Sequence, residues 1–401
     1  MMSSVVPVPE QAPEGPGRVS VECAEAPTDD ESPILVSGRI PVLDGLRGLA
    51  ILSVLLWHSV FQVEWHGRIL SALPRFGRLS WSGVDLFFVL SGFLIGGILL
   101  DVKESPNYFR TFYARRAYRI LPIYAVVLVL YGLGRLTILS YAPSFADFWI
   151  GRVPWFSYAT FTQNLWMAYE SSYGPFALIV TWSLAIEEQF YLTVPMVVRR
   201  LSRPRLAIVL GCVVLAAPLL RTLLYLNVNH GGFVSYVLTP CRADALSLGV
   251  LCALLVRDAR LSRLLVARRT ILCAVASLLL GVLIWFTYRG YGQYSAPLVT
   301  VGYSVLAFFY TCCLLIALTS RGWVRRALSN RPLMGLGGIA YCTYLLHHPI
   351  MEACRRLLGP DGGLKTALGS LFGIMITLTV AKLSWLLFEK PLIHRGHAYK
   401  Y

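Results

Sequence analysis

An arginine and a histidine share the first long apolar stretch of the chain: Arg47 near its start and His58 eleven residues on. On an α-helix eleven residues turn the backbone about 1100° and advance it roughly 16 Å, so both side chains lie on one face, about half a membrane thickness apart. An imidazole is the usual group for removing a proton from a hydroxyl near neutral pH. Ionisable groups inside an apolar run are costly to bury and default to function. His58 is read in that way. Arg47 stays open between a headgroup-level anchor that snorkels and a ligand-binding charge.

Further along, Arg116 and Arg119 stand three apart in an aromatic-rich basic stretch, residues 109–122. Guanidinium forks bind phosphate in a bidentate way, which suits a phosphorylated ligand better than a mere anchor does. Glu187 and Tyr191 are four apart and share a helix face. Glu188 is read as facing headgroups or water. Asp85 opens another apolar segment, as a cap or as a functional acid. Arg242 and Asp244 are two apart, so they cannot pair on one helix and each needs its own partner. Tyr341, Tyr344 and His347 complete the set, the tyrosines doubling as candidate core or belt aromatics. The nine cysteines read as small buried hydrophobes, with no disulfide framework and no metal-type set.

The elements that must hold these residues are membrane helices. The chain of 401 residues is 56% hydrophobic and 14% charged, with a mean hydropathy of +0.61; soluble chains carry about 25% charged residues. The fold expected is an all-α polytopic membrane protein of about ten spans. These fall at 44–63, 83–100, 120–140, 181–198, 205–226, 234–256, 270–287, 297–319, 334–351 and 366–388, with 155–168 as an interfacial or re-entrant piece. Residues 1–38 are Pro-rich and acidic and read as a disordered tail. They lack the basic start and apolar core of a signal peptide, so the first span is expected to do the targeting. The domain proper is 39–392, followed by a short tail, 393–401.

Charge sets the orientation. With the N-terminal tail inside, alternating assignment places 24 of the 36 Lys and Arg on the inside and 8 on the outside, loop by loop. Both termini are then cytoplasmic, in a bacterial-type inner or plasma membrane. The net charge of +15 is explained by these loops, and no nucleic-acid partner is implied. On this topology His58, Asp85, Glu187, Arg242, Asp244 and His347 are expected to gather in one layer, in the half of the membrane away from the cytoplasm.

Taken together, the motifs resemble the integral-membrane acyltransferase 3 family of O-acyltransferases. The Arg47–His58 spacing is followed in order by Gly83-Val-Asp-Leu-Phe-Phe-Val-Leu-Ser-Gly-Phe-Leu94, Arg115-Arg-x-x-Arg-Ile-Leu-Pro122, Trp182-Ser-Leu-x-x-Glu-x-x-Phe-Tyr191, Arg242-x-Asp-Ala-Leu246 and Tyr341-x-x-Tyr-Leu-Leu-His347. The closing Phe388-Glu-Lys-Pro391 belongs to the same set. The likeness covers about residues 39–392; Ala340 stands where the family often has serine. It implies transfer of an acyl group, usually acetyl from acetyl-CoA, to a hydroxyl of a carbohydrate or glycosylated product.

By that resemblance His58 would be the base, with Arg47, Arg116 and Arg119 in the acyl-donor site. Glu187 and His347 would be further catalytic candidates, and Asp85, Arg242, Asp244 and Tyr344 would be substrate-contacting or structural polar groups. Acyl-CoA would act as co-substrate, with no permanently bound cofactor and no metal. Some members add an extracytoplasmic hydrolase-like domain; with thirteen residues after Phe388, a stand-alone form is expected. The rival reading is a secondary transporter or flippase of a glycosylated or lipid-linked substrate, but the sequence shows none of the repeated halves such proteins carry.

Overall fold

The computed structural model describes residues 34, 38, 40–61, 77–141, 146–359 and 363–401, which are helical with no strand among them. Ten long helices carry the architecture. They are α1 (Pro41–Leu56), α2 (Gly83–Asp101), α3 (Tyr108–Tyr141), α4 (Thr181–Arg200) and α5 (Arg203–Asn227), then α6 (Thr239–Arg257), α7 (Arg269–Tyr288), α8 (Tyr303–Thr319), α9 (Ala340–Leu358) and α10 (Leu364–Ser384). Prolines begin α1, α5 and α6, in the first turn where a missing N–H breaks no intrahelical bond. A five-residue π-turn, Trp57–Phe61, follows α1 directly. A second, Trp385–Glu389, joins α10 to a last helix, Lys390–His397.

Among the described residues, eight helical stretches are long and apolar enough to cross a membrane. The expected spans at 181–198 and 334–351 are not among them, although α4 and α9 run for 20 and 19 residues. The reason is chemical: these two helices carry Glu187, Glu188 and Gln189, and His347, His348, Glu352, Arg355 and Arg356. They contact each other, Ser183 Oγ lying 2.6 Å from the Tyr344 hydroxyl. Around them α7 and α10 present bare apolar faces, Leu278, Ile284, Leu371 and Leu383 among them. A hydrocarbon surround accommodates such faces at no cost, and water does not. The protein is a multi-pass integral membrane protein.

At the centre α2 and α6 cross with their backbones almost touching. A Cβ on Gly92 would lie 2.0 Å from the Leu246 carbonyl oxygen, and one on Gly249 would lie 2.2 Å from that of Val89. Only hydrogen fits at either position, the small-residue contact that brings membrane helices close. α3 lies against α4 through Tyr108 and Tyr113, whose hydroxyls donate to the carbonyls of Pro195 and Leu192 (3.0 and 3.1 Å). These bonds fall in the stretch of α4 that Pro195 interrupts, where freed backbone groups need outside partners.

Several expected boundaries shift. The third span begins at Tyr108 rather than 120, so the basic stretch is the opening of α3 itself. The expected span 334–351 is broken at Gly338–Ile339, a short helix Arg331–Gly338 preceding α9. Segment 155–168 forms two short helices, Trp155–Ala159 and Gln163–Glu170. Buried Gln163 and Asn164 in the second donate to the carbonyls of Thr181 and Val237 (2.9 and 3.2 Å). The segment is thus a packed wedge rather than a span. Beyond 392 the chain stays helical to His397 and docks on α3: Thr111 Oγ1 donates to the Lys400 carbonyl, and Arg115 Nε and Nη2 donate to that of Tyr399. The expected tail 1–38 lies outside the described residues except for 34 and 38.

Candidate active site

The opening turns of α3 put Arg116 and Arg119 on one face, and α1 sets Arg47 opposite them. All three line a cavity of about 980 Å³, counting the space in its mouth. Ser91, Glu187, Tyr191, Tyr341 and Tyr344 form its inner walls, and Trp385, Glu389 and Ile393 of the C-terminal helical stretch close one side. The carboxylates are engaged elsewhere. Glu187 Oε2 accepts from the Tyr191 hydroxyl at 2.7 Å, with Ser91 Oγ 3.2 Å from that hydroxyl; Glu389 Oε1 accepts from Ser384 at 3.0 Å. Arg47 reaches Asp44 only at 3.5 Å. The Nε of Arg116 is buried with no partner among the described residues. Guanidinium groups gathered in this way are the side chains that bind anions through bidentate hydrogen bonds.

A second polar group lies at the far end of α1. The π-turn carries His58 against two residues of α9: its ring centroid is 5.1 Å from that of His347 and 5.0 Å from that of His348. Nδ1 of His347 is 2.7 Å from the Tyr344 carbonyl, which can only accept. That nitrogen therefore bears the proton, and Nε2, buried without a partner among the described residues, keeps its lone pair. On its other side His348 stacks on Phe176 (5.9 Å, 12°). Arg355 of α9 donates through Nη2 to the carbonyl of His58.

One residue touches both groups. Tyr344 lines the arginine cavity, and its ring lies 5.7 Å from that of His347, one helical turn further along α9. Its hydroxyl is held by Ser183 and by the Val180 carbonyl (2.6 and 3.2 Å), and Phe87 packs on its ring at 6.2 Å.

The expected single layer is therefore divided. Glu187 belongs to the arginine cavity, bonded to Tyr191 rather than to a histidine. Asp85 does not cap α2: its Oδ1 accepts from Arg242 Nη2, both side chains being buried, and its Oδ2 has no partner among the described residues. Arg242 also lies 4.2 Å over the ring of Tyr303. Asp244 takes Arg221 of α5 at 2.9 Å, with Ser304 Oγ at 2.8 Å. Each member of the Arg242/Asp244 pair thus has its own partner on another helix. Glu188 is half-buried, with its Oε1 shielded and without a hydrogen-bond partner among the described residues.

A family profile described as an acyltransferase domain, Acyl_transf_3, matches residues 40–386. The chain belongs to the acyltransferase 3 family. YrhL of Bacillus subtilis (strain 168), provisionally named a peptidoglycan O-acetyltransferase, is 32% identical over 376 residues, which is 89% of this chain and 55% of that protein. The peptidoglycan O-acetyltransferase OatA of Listeria monocytogenes is 27% identical over 374 residues, 89% of this chain and 56% of the relative. The chain spans about half the length of these curated relatives. No solved structure matches it.

In this acyltransferase-family chain the structure brings Arg47, Arg116, Arg119 and Glu187 to one place and His58 with His347 to another. His348, Arg221 and Arg355 were not singled out by sequence. His348 was legible as the second half of a His-His pair inside an apolar segment. Arg221 was legible as a charge in mid-span, a position that requires a partner. Arg355 gives no such signal: it sits near the end of its helix and reads as a loop charge.

Proposed function

We propose that this protein transfers an acyl group from acyl-CoA, bound by its phosphates in the arginine cavity, to a carbohydrate hydroxyl at the histidine group. The observation that carries the proposal is the cavity lined by Arg47, Arg116 and Arg119, with Tyr344 in its wall and in ring contact with His347. The inside bias of basic loops puts the arginine end toward the cytoplasm, where acyl-CoA is made. The acceptor class follows the relatives named for peptidoglycan O-acetylation, and acetyl is the acyl group their names support.

In the reaction His58 takes the proton of the acceptor hydroxyl as its oxygen attacks the thioester carbonyl. The new C–O bond forms, the C–S bond breaks, and the imidazolium returns the proton to the departing thiolate. His347, with its lone pair on Nε2, is placed to hold the acceptor or to share the proton. Glu187 and Tyr191 border the path of the donor arm.

The test is acetyl transfer by purified protein in lipid nanodiscs, with acetyl-CoA and soluble peptidoglycan fragments. Arg116→Ala/Arg119→Ala should raise the donor KM steeply, since a hydrogen bond to a charged group is worth about 1.5–3 kcal/mol, and leave the acceptor KM near wild type. Unchanged donor dependence in a well-folded double variant would return these residues to membrane anchoring.

A further inference from the structure

Arg355 was counted above only as a loop charge, yet it makes the contact that fixes the backbone under His58. The π-turn Trp57–Phe61 is the last described part of the first helix. Such i→i+5 turns are rare, occur mostly as single insertions, and are frequent at functional sites. They displace the side chains that follow from the α-helical register. Carbonyls in a terminal turn look for donors outside the helix. Here the carbonyl of His58 accepts from Arg355 Nη2.

Arg355 is itself held in direction. Its Nε donates to Ser370 Oγ of α10 at 2.9 Å, that hydroxyl donates to the Thr366 carbonyl at 2.8 Å, and Glu352 lies 4.0 Å from Nη1. Along α9, His348 and Arg355 are seven apart, within about 20° of two full turns, so both face α1. The same helix face therefore meets His58 twice: at its ring through His348, and at its backbone through Arg355.

We infer that Arg355 is a positioning residue, which sets the orientation of the His58 imidazole by clamping the π-turn to α9 and α10. The inference rests on His58 acting as proposed above. Arginine is required because one planar fork must reach two acceptors in different directions, the His58 carbonyl and Ser370. Lysine offers a single nitrogen and satisfies one of them.

Arg355→Met, Arg355→Lys and Ser370→Ala are compared with wild type in the same acetyl-transfer assay, with thermal unfolding measured alongside. A displacement of about 1 Å in a reacting group lowers rates on the order of 100-fold. Arg355→Met is accordingly expected to lose about 10–100-fold in kcat with the donor KM unchanged, because the arginine cavity lies elsewhere. Arg355→Lys should recover part of that loss. Ser370→Ala should cause a smaller fall in kcat, and it decides the question if Arg355→Met fails to fold. Wild-type kcat in Arg355→Met, or a raised donor KM at constant kcat, overturns the positioning role. The same holds if Ser370→Ala is silent where Arg355→Met cannot be purified. A wild-type protein without acetyl transfer would instead sink the functional proposal, so the two failures are told apart.

Discussion

Arginine is used in two opposite ways in this membrane protein. Arg221 and Arg242 are fully buried, and each holds a carboxylate on another helix: Asp244 on α6 for the first, Asp85 on α2 for the second. Arg47, Arg116 and Arg119 line a cavity whose carboxylates are bonded to a tyrosine and a serine, and Arg47 meets Asp44 only at 3.5 Å; a buried donor without a partner among the described residues occurs in both groups, Arg116 Nε and Arg242 Nη1. Desolvated charge must be matched inside the fold or by something that enters. The first pair match each other's helices, and so tie α2, α5 and α6 together. The other three sit near carboxylates without so close a pairing, and the function proposed above gives their charge to the donor phosphates. Charge type is shared between the groups; burial and pairing differ, the first two being fully buried and closely paired and the other three half-buried.

That contrast can be broken most strongly at the ion pairs. Removing one partner of a buried pair leaves an uncompensated charge and costs about 3–5 kcal/mol. Asp244→Ala, which strands Arg221, should lower the thermal unfolding midpoint sharply, while Arg116→Ala, which strands no carboxylate, should leave it near wild type. Equal losses in the two variants would erase the distinction drawn here.

Much of this was legible in the sequence, and the limit is physical. Helical spacing put Arg116 and Arg119 on one face and marked Arg242 and Asp244 as needing separate partners, and both expectations hold. Spacing within one helix says nothing about which other helix supplies a partner, so Asp85 and Arg221 could not be matched to them. The Arg47–His58 register stays α-helical through nine of its eleven steps, to Leu56, and then meets a π-turn that packs against α9 and α10. Depth alone could not separate Glu187 from the histidines either. The two lie at neighbouring levels of different helices, and Tyr344 stands at their boundary.

The smallest expected effect lies at the rim, where exposure weakens pairing. Asp147, in the loop between α3 and α4, accepts from both Nη atoms of Arg356 at 2.7 and 2.8 Å. Hydrogen bonds from Arg356 hold its carboxyl below the ordinary 3.8. A depressed carboxyl pKa contributes stability above the unfolded value, and that contribution is lost as pH falls through the folded value. Asp147→Asn should therefore cost about 0.2–1 kcal/mol at neutral pH, as exposed pairs do, and the difference from wild type should shrink in unfolding curves as pH falls below 3.8 and vanish once pH is below the depressed folded value. A difference that persists there would mean that the residue acts by something other than its charge.

The central claim is a division of labour: arginines hold the donor at one end and His58 moves the proton at the other. Purified His58→Ala in nanodiscs tests it most directly, with acetyl-CoA binding and acetyl transfer measured on the same sample. General-base catalysis contributes roughly 10²–10⁴-fold. Donor affinity should stay at the wild-type level while transfer falls by at least 100-fold. Transfer above a tenth of wild type, or donor binding lost together with transfer, would contradict the account.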